Sequence, residues 1–208
     1  MTRSLAKPPK RKSRKVVVGP EDHGRRMSLD QFDRAEGREG YLYELNKGVI
    51  EVTDVPQPSH GQHVQAIRNQ LTAYQLERPD VILYLAGGGE AKMLIGPSES
   101  ERHPDLSAYR TPPPSDNADA WSVWVPAIVV EVVSKRSAKR DYQDKPPEYL
   151  EFGVEEYWIV DSAKKQMLAL TRWRGEWKEH VVKPPKRYAT RLLPGFTLDL
   201  KKVFDAAK

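Results

Sequence analysis

A run of apolar residues from Ala127 to Val133 carries the clearest pattern in the chain. It is rich in β-branched side chains and is typical of a strand buried on both faces of a sheet. Glu131 interrupts this run, although moving an unpaired carboxylate out of water costs several kcal/mol. The pattern therefore predicts a central strand and a partner that compensates the charge of Glu131.

Weaker patterns predict the elements around this strand. Ser28 and Gln31 have the spacing of a capping box at a helix start, and Ser59 opens a longer helix with apolar residues at helical spacing. Further strands are predicted at 41–45, 49–53, 81–86, 91–95, 105–109, 156–161, 166–173 and 176–182, and further helices at 146–152 and 200–207. This order favours one α/β (α+β) domain with a mixed sheet and helices outside it.

The composition is typical of a soluble globular protein, with 208 residues, 38% hydrophobic and 30% charged side chains. This length suits one domain with a substantial core. The chain has no cysteine, which excludes disulfides and thiolate metal sites. It has no apolar run long enough to span a bilayer and no secretory signal at its N-terminus. We therefore expect a cytoplasmic protein with no membrane partner.

The net charge of +5 is concentrated at one end of the chain. Residues 1–15 carry seven Lys and Arg side chains and no acid, so residues 16–208 sum to −2. Prolines and glycines interrupt the chain as far as Pro20. We therefore predict a basic flexible arm at 1–26 and a folded domain at 27–208. A basic arm of this kind attracts the phosphates of nucleic acid.

Three residues are candidate companions for Glu131. Asp105 follows a proline at the start of a predicted strand, Glu44 lies in a strand of Tyr and Leu residues, and Lys145 follows the Glu131 strand. Carboxylates that converge with a lysine suit metal-dependent phosphodiester hydrolysis, because their oxygens hold Mg²⁺ while the ammonium orients water or stabilises transition-state charge. Each companion taken alone is more typical of a turn or a surface position.

Other polar clusters have simpler interpretations. His60 and His63 lie three residues apart and could share a helix face. No third ligand is evident, so we favour a polar face near the helix start over a zinc site. The three glycines at 87–89 lack the Lys-Ser/Thr that follows a phosphate-binding loop, and they predict a turn.

Several motifs, taken in order, resemble one known family. The segments "YELNKGVIEV", "PDLSAY", "IVVEVVSKRS" and "DKPPEYLEFGVEEYWIVD" are similar to the Uma-type family of endonucleases, formerly a domain of unknown function. That family belongs to the restriction-endonuclease-like PD-(D/E)XK superfamily, and the resemblance covers about residues 27–205. It implies a mixed β-sheet core flanked by helices, with a divalent metal site. Asp105 and Glu131 would be the two motif carboxylates, and Glu44 an additional glutamate.

The resemblance leaves two candidates for the catalytic lysine. The superfamily places this lysine two residues after the second carboxylate, where the chain has Val133. The family carries it on the following helix, which implies Lys145, although the Pro-Pro pair after Lys145 predicts that this residue precedes the helix. Lys135 is the competitor, because it shares strand parity with Glu131. We favour Lys145.

The motifs and the basic arm together predict a metal-dependent endonuclease. The resemblance implies that Asp105, Glu131 and Glu44 hold Mg²⁺ or Mn²⁺ for hydrolysis of DNA phosphodiester bonds by an activated water, with Lys145 as the remaining catalytic residue. It also implies a homodimer, so that both strands are cut. The alternative is a catalytically inactive nucleic-acid-binding protein on the same fold, which the apolar Val133 keeps open. A glycosidase is disfavoured by the basic arm.

Overall fold

The computed structural model describes residues 16–115 and 120–207, which form two larger β-sheets, two small ribbons and five helices. The strands are β1 Val17–Val18, β2 Glu36–Gly37, β3 Tyr41–Asn46, β4 Val49–Asp54, β5 Tyr84–Gly87, β6 Met93–Ile95, β7 Ser100–Arg102, β8 Leu106–Tyr109, β9 Ile128–Val132, β10 Glu156–Asp161, β11 Gln166–Trp173, β12 Glu176–Val182, β13 Arg187–Ala189 and β14 Thr197–Asp199. The helices are α1 Leu29–Asp33, α2 Pro58–Glu77, α3 Ala120–Val123, α4 Lys145–Phe152 and α5 Leu200–Asp205. Among the described residues no helix is long and apolar enough to cross a membrane.

A six-stranded mixed sheet holds the strand that contains Glu131. Its strand order is β12-β11-β10-β9-β8-β5, in which β9 and β10 pair in parallel and the other neighbours pair antiparallel. All five residues of β9 are buried, which confirms the prediction of a strand covered on both faces. The parallel pairing brings the carboxyl ends of β9 and β10, and the loops that follow them, side by side.

The two faces of this sheet pack against different elements. Ile128, Val130 and Val132 join the large core formed with α2 and α5. Val129 joins a smaller core on the opposite face, together with Tyr149 of α4 and residues of β6. Because side chains alternate along a strand, Glu131 projects to the same side as Val129. Its carboxylate is therefore directed towards α4 and away from the larger core.

A four-stranded antiparallel sheet with the order β4-β3-β7-β6 covers the α4 side. The predicted hairpin is confirmed as β3 and β4, with Lys47 and Gly48 at positive φ (51° and 72°) in a two-residue turn. Strand β7 was not predicted, because its sequence, Ser-Glu-Arg, has no apolar pattern. All three of its residues are nevertheless buried.

The structure differs from the sequence prediction at two boundaries. Residues 16–26, assigned to the arm, pack on the domain: β1 pairs with β2, and Val18 is buried against Phe32 and Ile50. The basic residues 1–15 lie outside the described residues. The predicted start of α4 after Lys145 is wrong, because a π-helical turn at Arg140–Asp144 runs directly into α4. The Lys145 N–H donates to the Arg140 carbonyl across that turn, so Lys145 is already helical before the prolines begin.

Candidate active site

Asp105 lies where β8 runs beside β9, next to Glu131 in the sheet. Its Oδ2 accepts a hydrogen bond of 2.7 Å from the backbone N–H of Val132, the residue after Glu131. The Nε2 of His60, on the first turn of α2, lies 3.2 Å from the same oxygen and 3.0 Å from the Val132 carbonyl. His60 and the β9 backbone therefore fix the orientation of Asp105. The sequence analysis assigned His60 only to a polar helix face, and its contact with Asp105 was not predicted.

Glu131 is compensated by two donors from α4. The Lys145 Nζ donates to Glu131 Oε1 at 2.8 Å, and the Tyr149 hydroxyl donates to the same oxygen at 2.7 Å. Glu131 and Lys145 are each only 4% exposed. Lys135, the competing lysine, is exposed in the loop after β9. The structure thus brings Lys145 to the carboxylate, one turn of α4 before Tyr149.

Glu44, on β3, lies at the edge of this group. Its Oε1 accepts the backbone N–H of His103 at 3.1 Å, and its Oε2 accepts Arg102 Nη1 at 3.3 Å. Lys145 Nζ is 3.9 Å away. Arg102 is itself fully buried and is held by Glu148 at 2.8 Å. Because donors already occupy both oxygens of Glu44, this residue is less available as a ligand than Asp105 and Glu131.

Asp141 is a fourth carboxylate that the sequence analysis did not select. It is 1% exposed, and its Oδ1 lies 3.4 Å from Lys145 Nζ. Neither of its carboxylate oxygens accepts a hydrogen bond. Its spacing of four residues from Lys145 in a helical segment is a usable signal, because residues at that spacing share one face. The sequence around it, "KRDYQDK", is polar and has no apolar pattern that would indicate burial.

The electrostatics of the group follow from an excess of buried negative charge. Burial raises the pKa of Glu131 to about 8, against the attraction of Lys145 and with repulsion from Asp105. Burial likewise raises the pKa of Asp105 to about 7. Burial also opposes the ionisation of Glu44, but Lys145 and Arg102 outweigh it and lower the pKa of Glu44 to about 2.

Lys145 shows the opposite balance. Burial alone would lower the pKa of its ammonium, but the surrounding carboxylates, chiefly Glu131 and then Glu44, raise this pKa well above its ordinary value. The pKa of Glu131 nevertheless stays high beside this cation, because burial outweighs the attraction of Lys145 and the neighbouring carboxylates add repulsion. The geometry supports a charged Lys145 in every case, since Glu131, Asp141 and Glu44 all lie within 4 Å of its Nζ.

The donor set fits a divalent cation held by two carboxylates. When ionised, Asp105, Glu131 and Asp141 carry a charge of −3 against the +1 of Lys145, which leaves −2 uncompensated. Across the described residues no group of three or more His, Asp or Glu side chains is arranged to hold a metal ion. Mg²⁺, however, is usually bound by one or two carboxylates together with water and substrate phosphates. Asp105 and Glu131 suit that role, and Glu44 as a third ligand stays a prediction.

The carboxylates open onto a cleft of about 1660 Å³. Asp105, Glu131 and Lys145 line its floor together with His60. Three exposed cations on the loops after β9 and β10 also line it, namely Lys135, Arg136 and Lys164. Of these, Arg136 pairs with Asp54 and Lys164 pairs with Asp161. Exposed cations beside buried carboxylates suit a polyanion whose reacting phosphate meets a cation.

Comparisons with known proteins identify the family and the fold. A family model, Uma2, described as "Putative restriction endonuclease", matches residues 29–201. A solved structure, described as a "putative nuclease belonging to DUF820" from Anabaena variabilis, is 16% identical to this chain. It superposes with a TM-score of 0.71 and covers 88% of this chain and 99% of its own, so the restriction-endonuclease-like fold is confirmed. No curated protein matches. The chain therefore belongs to the Uma2 family.

Proposed function

We propose that this protein is an endonuclease that hydrolyses DNA phosphodiester bonds with Mg²⁺ or Mn²⁺. The observation that carries the proposal is the convergence of three groups from separate elements. Lys145 Nζ lies 2.8 Å from Glu131 Oε1, and Asp105 accepts a hydrogen bond from the backbone N–H of Val132, the residue after Glu131. All three line one open cleft. The family description supports the same class of reaction.

The residues of the site divide the chemistry between them. Asp105 and Glu131 would hold the cation, which when bound supplies Lewis-acid polarisation of a phosphoryl oxygen and acidifies a water. Val132 N–H and His60 orient Asp105, and the Tyr149 hydroxyl orients Glu131. Such outer contacts keep the ligand oxygens in place without reorganisation during the reaction.

Lys145 would stabilise the negative charge that develops on the phosphate or orient the attacking water. Its ammonium is desolvated, so its field at the reacting phosphate is stronger than that of an exposed lysine. Its high pKa keeps it protonated at neutral pH, which suits electrostatic stabilisation and excludes a role as general base.

The exposed cations that line the cleft would bind the DNA backbone. Lys135, Arg136 and Lys164 lie on two neighbouring loops above the carboxylates, on a body whose residues 16–208 sum to −2. Phosphate contacts of this kind position a duplex and carry no sequence information. The arm at 1–15, with seven cations, would add further affinity.

Single-turnover cleavage of duplex DNA with saturating Mg²⁺ or Mn²⁺ tests the proposal. Asp105→Asn and Lys145→Ala should each lower the rate constant on the order of a hundredfold, by analogy with the loss of one transition-state donor. Lys183→Ala removes an exposed lysine outside the cleft and should leave the rate unchanged. If the wild-type protein binds DNA but cleaves no nucleic acid with either metal, the inactive binding protein is the better description.

A further inference from the structure

Asp141 is a buried carboxylate to which the proposed mechanism gives no role. It is 1% exposed, and neither carboxylate oxygen accepts a hydrogen bond. The ordinary way to tolerate a buried carboxylate is to satisfy both oxygens, as the hydrogen bonds from Arg102 and Ser100 do for Glu148. Asp141 therefore destabilises the fold more than a satisfied acid would, and such a residue requires a functional explanation.

The position of Asp141 singles out Lys145 as its partner. The two residues are four apart in one helical segment, with Oδ1 and Nζ 3.4 Å apart. The other carboxylates near Lys145 lie on different elements, Glu131 on β9 and Glu44 on β3. Glu44 is also the most distant of the three, and Arg102 and a backbone N–H already hold it. Of these three acids, Asp141 alone shares a helical segment with Lys145. Its position beside Lys145 therefore does not depend on how the sheets are placed.

We propose that Asp141 is a positioning residue that holds the Lys145 ammonium over the cleft once Glu131 shares its charge with a bound cation. This inference rests on the proposed function. Lys145 and Tyr149 both donate hydrogen bonds to the same oxygen of Glu131, Oε1. A cation on Glu131 weakens its attraction for Lys145 and repels the ammonium directly. Asp141 lies 3.4 Å from the Lys145 ammonium and would not share its carboxylate with the cation, so it retains the ammonium.

The test is a double-mutant cycle of Asp141→Asn with Lys145→Ala, and Asp144→Asn is the matched control. Asp144 lies in the same π-helical turn, is only partly buried, and forms no ion pair among the described residues. Asp141→Asn should lower the single-turnover rate about tenfold or more, the loss expected for one charge-assisted interaction. DNA affinity and the half-saturating Mg²⁺ concentration should stay unchanged. In the Lys145→Ala background the same change should have no further effect on the rate.

Urea unfolding of the metal-free variants separates positioning from a structural role. Asp141→Asn should leave the midpoint unchanged or raise it, because the carboxylate it removes is buried and accepts no hydrogen bond. The midpoint should rise further when Lys145 is already Ala, because Asp141 then has no nearby cation. A fall in the midpoint that parallels the fall in rate would make Asp141 merely structural, and a raised Mg²⁺ requirement would make it a ligand; either overturns the inference.

The unfolding cycle needs no cleavage, so the two proposals can fail separately. If the wild-type protein cleaves nothing, the proposed function fails and the unfolding cycle still reports on the pair. If Asp141→Asn shifts the midpoint equally in the wild-type and Lys145→Ala backgrounds, the two side chains do not interact and the inference fails. Cleavage by the wild type that Asp141→Asn leaves at full rate also overturns it, while the proposed function stands.

Discussion

Glu131→Gln removes a carboxylate that is buried within an apolar strand. The effect of this substitution on stability should depend on pH. The ordinary pKa of glutamate is 4.5, and burial raises that of Glu131 to about 8. Between these values the folded protein holds a proton on Glu131 that the unfolded chain has released. The stability due to this group is therefore complete below about pH 4.5 and is lost as the pH rises through about 8. Glutamine has no proton to release.

The size of the effect follows from linkage. One extra proton on the folded state lowers the free energy of unfolding by about 1.4 kcal/mol for each pH unit gained. Across the window from 4.5 to about 8, this amounts to on the order of 5 kcal/mol. The variant also replaces the carboxyl oxygen that accepts the 2.8 Å hydrogen bond from Lys145 with an amide oxygen, which shifts its whole stability curve. The prediction therefore concerns the slope: relative to wild type, Glu131→Gln should gain about 1.4 kcal/mol per pH unit.

Urea denaturation at several pH values, with a chelator present, measures this slope. Glu151→Gln is the control, because Glu151 is an exposed glutamate on the same helix as Lys145 and is solvated in both states. Its stability curve should run parallel to that of the wild type. Parallel curves for Glu131→Gln as well would show that Glu131 is not held protonated by burial. With Mg²⁺, the wild type should gain more stability at pH 8 than at pH 6, because ligands bind deprotonated, and Glu131→Gln should lose this gain.

Two further predictions concern nucleic-acid binding. Lys135→Ala should weaken DNA binding slightly and leave the cleavage rate intact, and added salt should abolish the difference in binding. If Lys135→Ala were inactive and Lys145→Ala were normal, Lys135 would be the catalytic lysine. Deleting residues 1–15 should weaken DNA binding and should reduce the slope of log K against log salt concentration by about 0.9 for each phosphate that the arm neutralises. An unchanged slope would show that the arm does not bind DNA.

Local patterns were sufficient to predict the elements that consecutive residues determine. The apolar run predicted β9, the "EYWIVD" segment predicted β10 with the observed bounds, and the Asn-Lys-Gly turn predicted the hairpin of β3 and β4. These elements depend on side-chain alternation and turn chemistry, which neighbouring residues determine. Strand β7 could not be predicted in this way, because its polar residues are buried by ion pairs with distant parts of the chain.

The same division applies to the site. A glutamate inside an apolar run indicated Glu131 without any structure, because a buried charge demands a partner. Sequence patterns indicated Asp105, Glu44 and Lys145 as candidate companions, and the family resemblance assigned their roles, but neither gave the contacts between them. Tertiary structure alone placed the Lys145 ammonium on Glu131, engaged Glu44 with Arg102 and brought Asp141 within 3.4 Å of Lys145. Which side chains share one cleft depends on how sheets and helices pack over long sequence separations, and no local pattern encodes that packing.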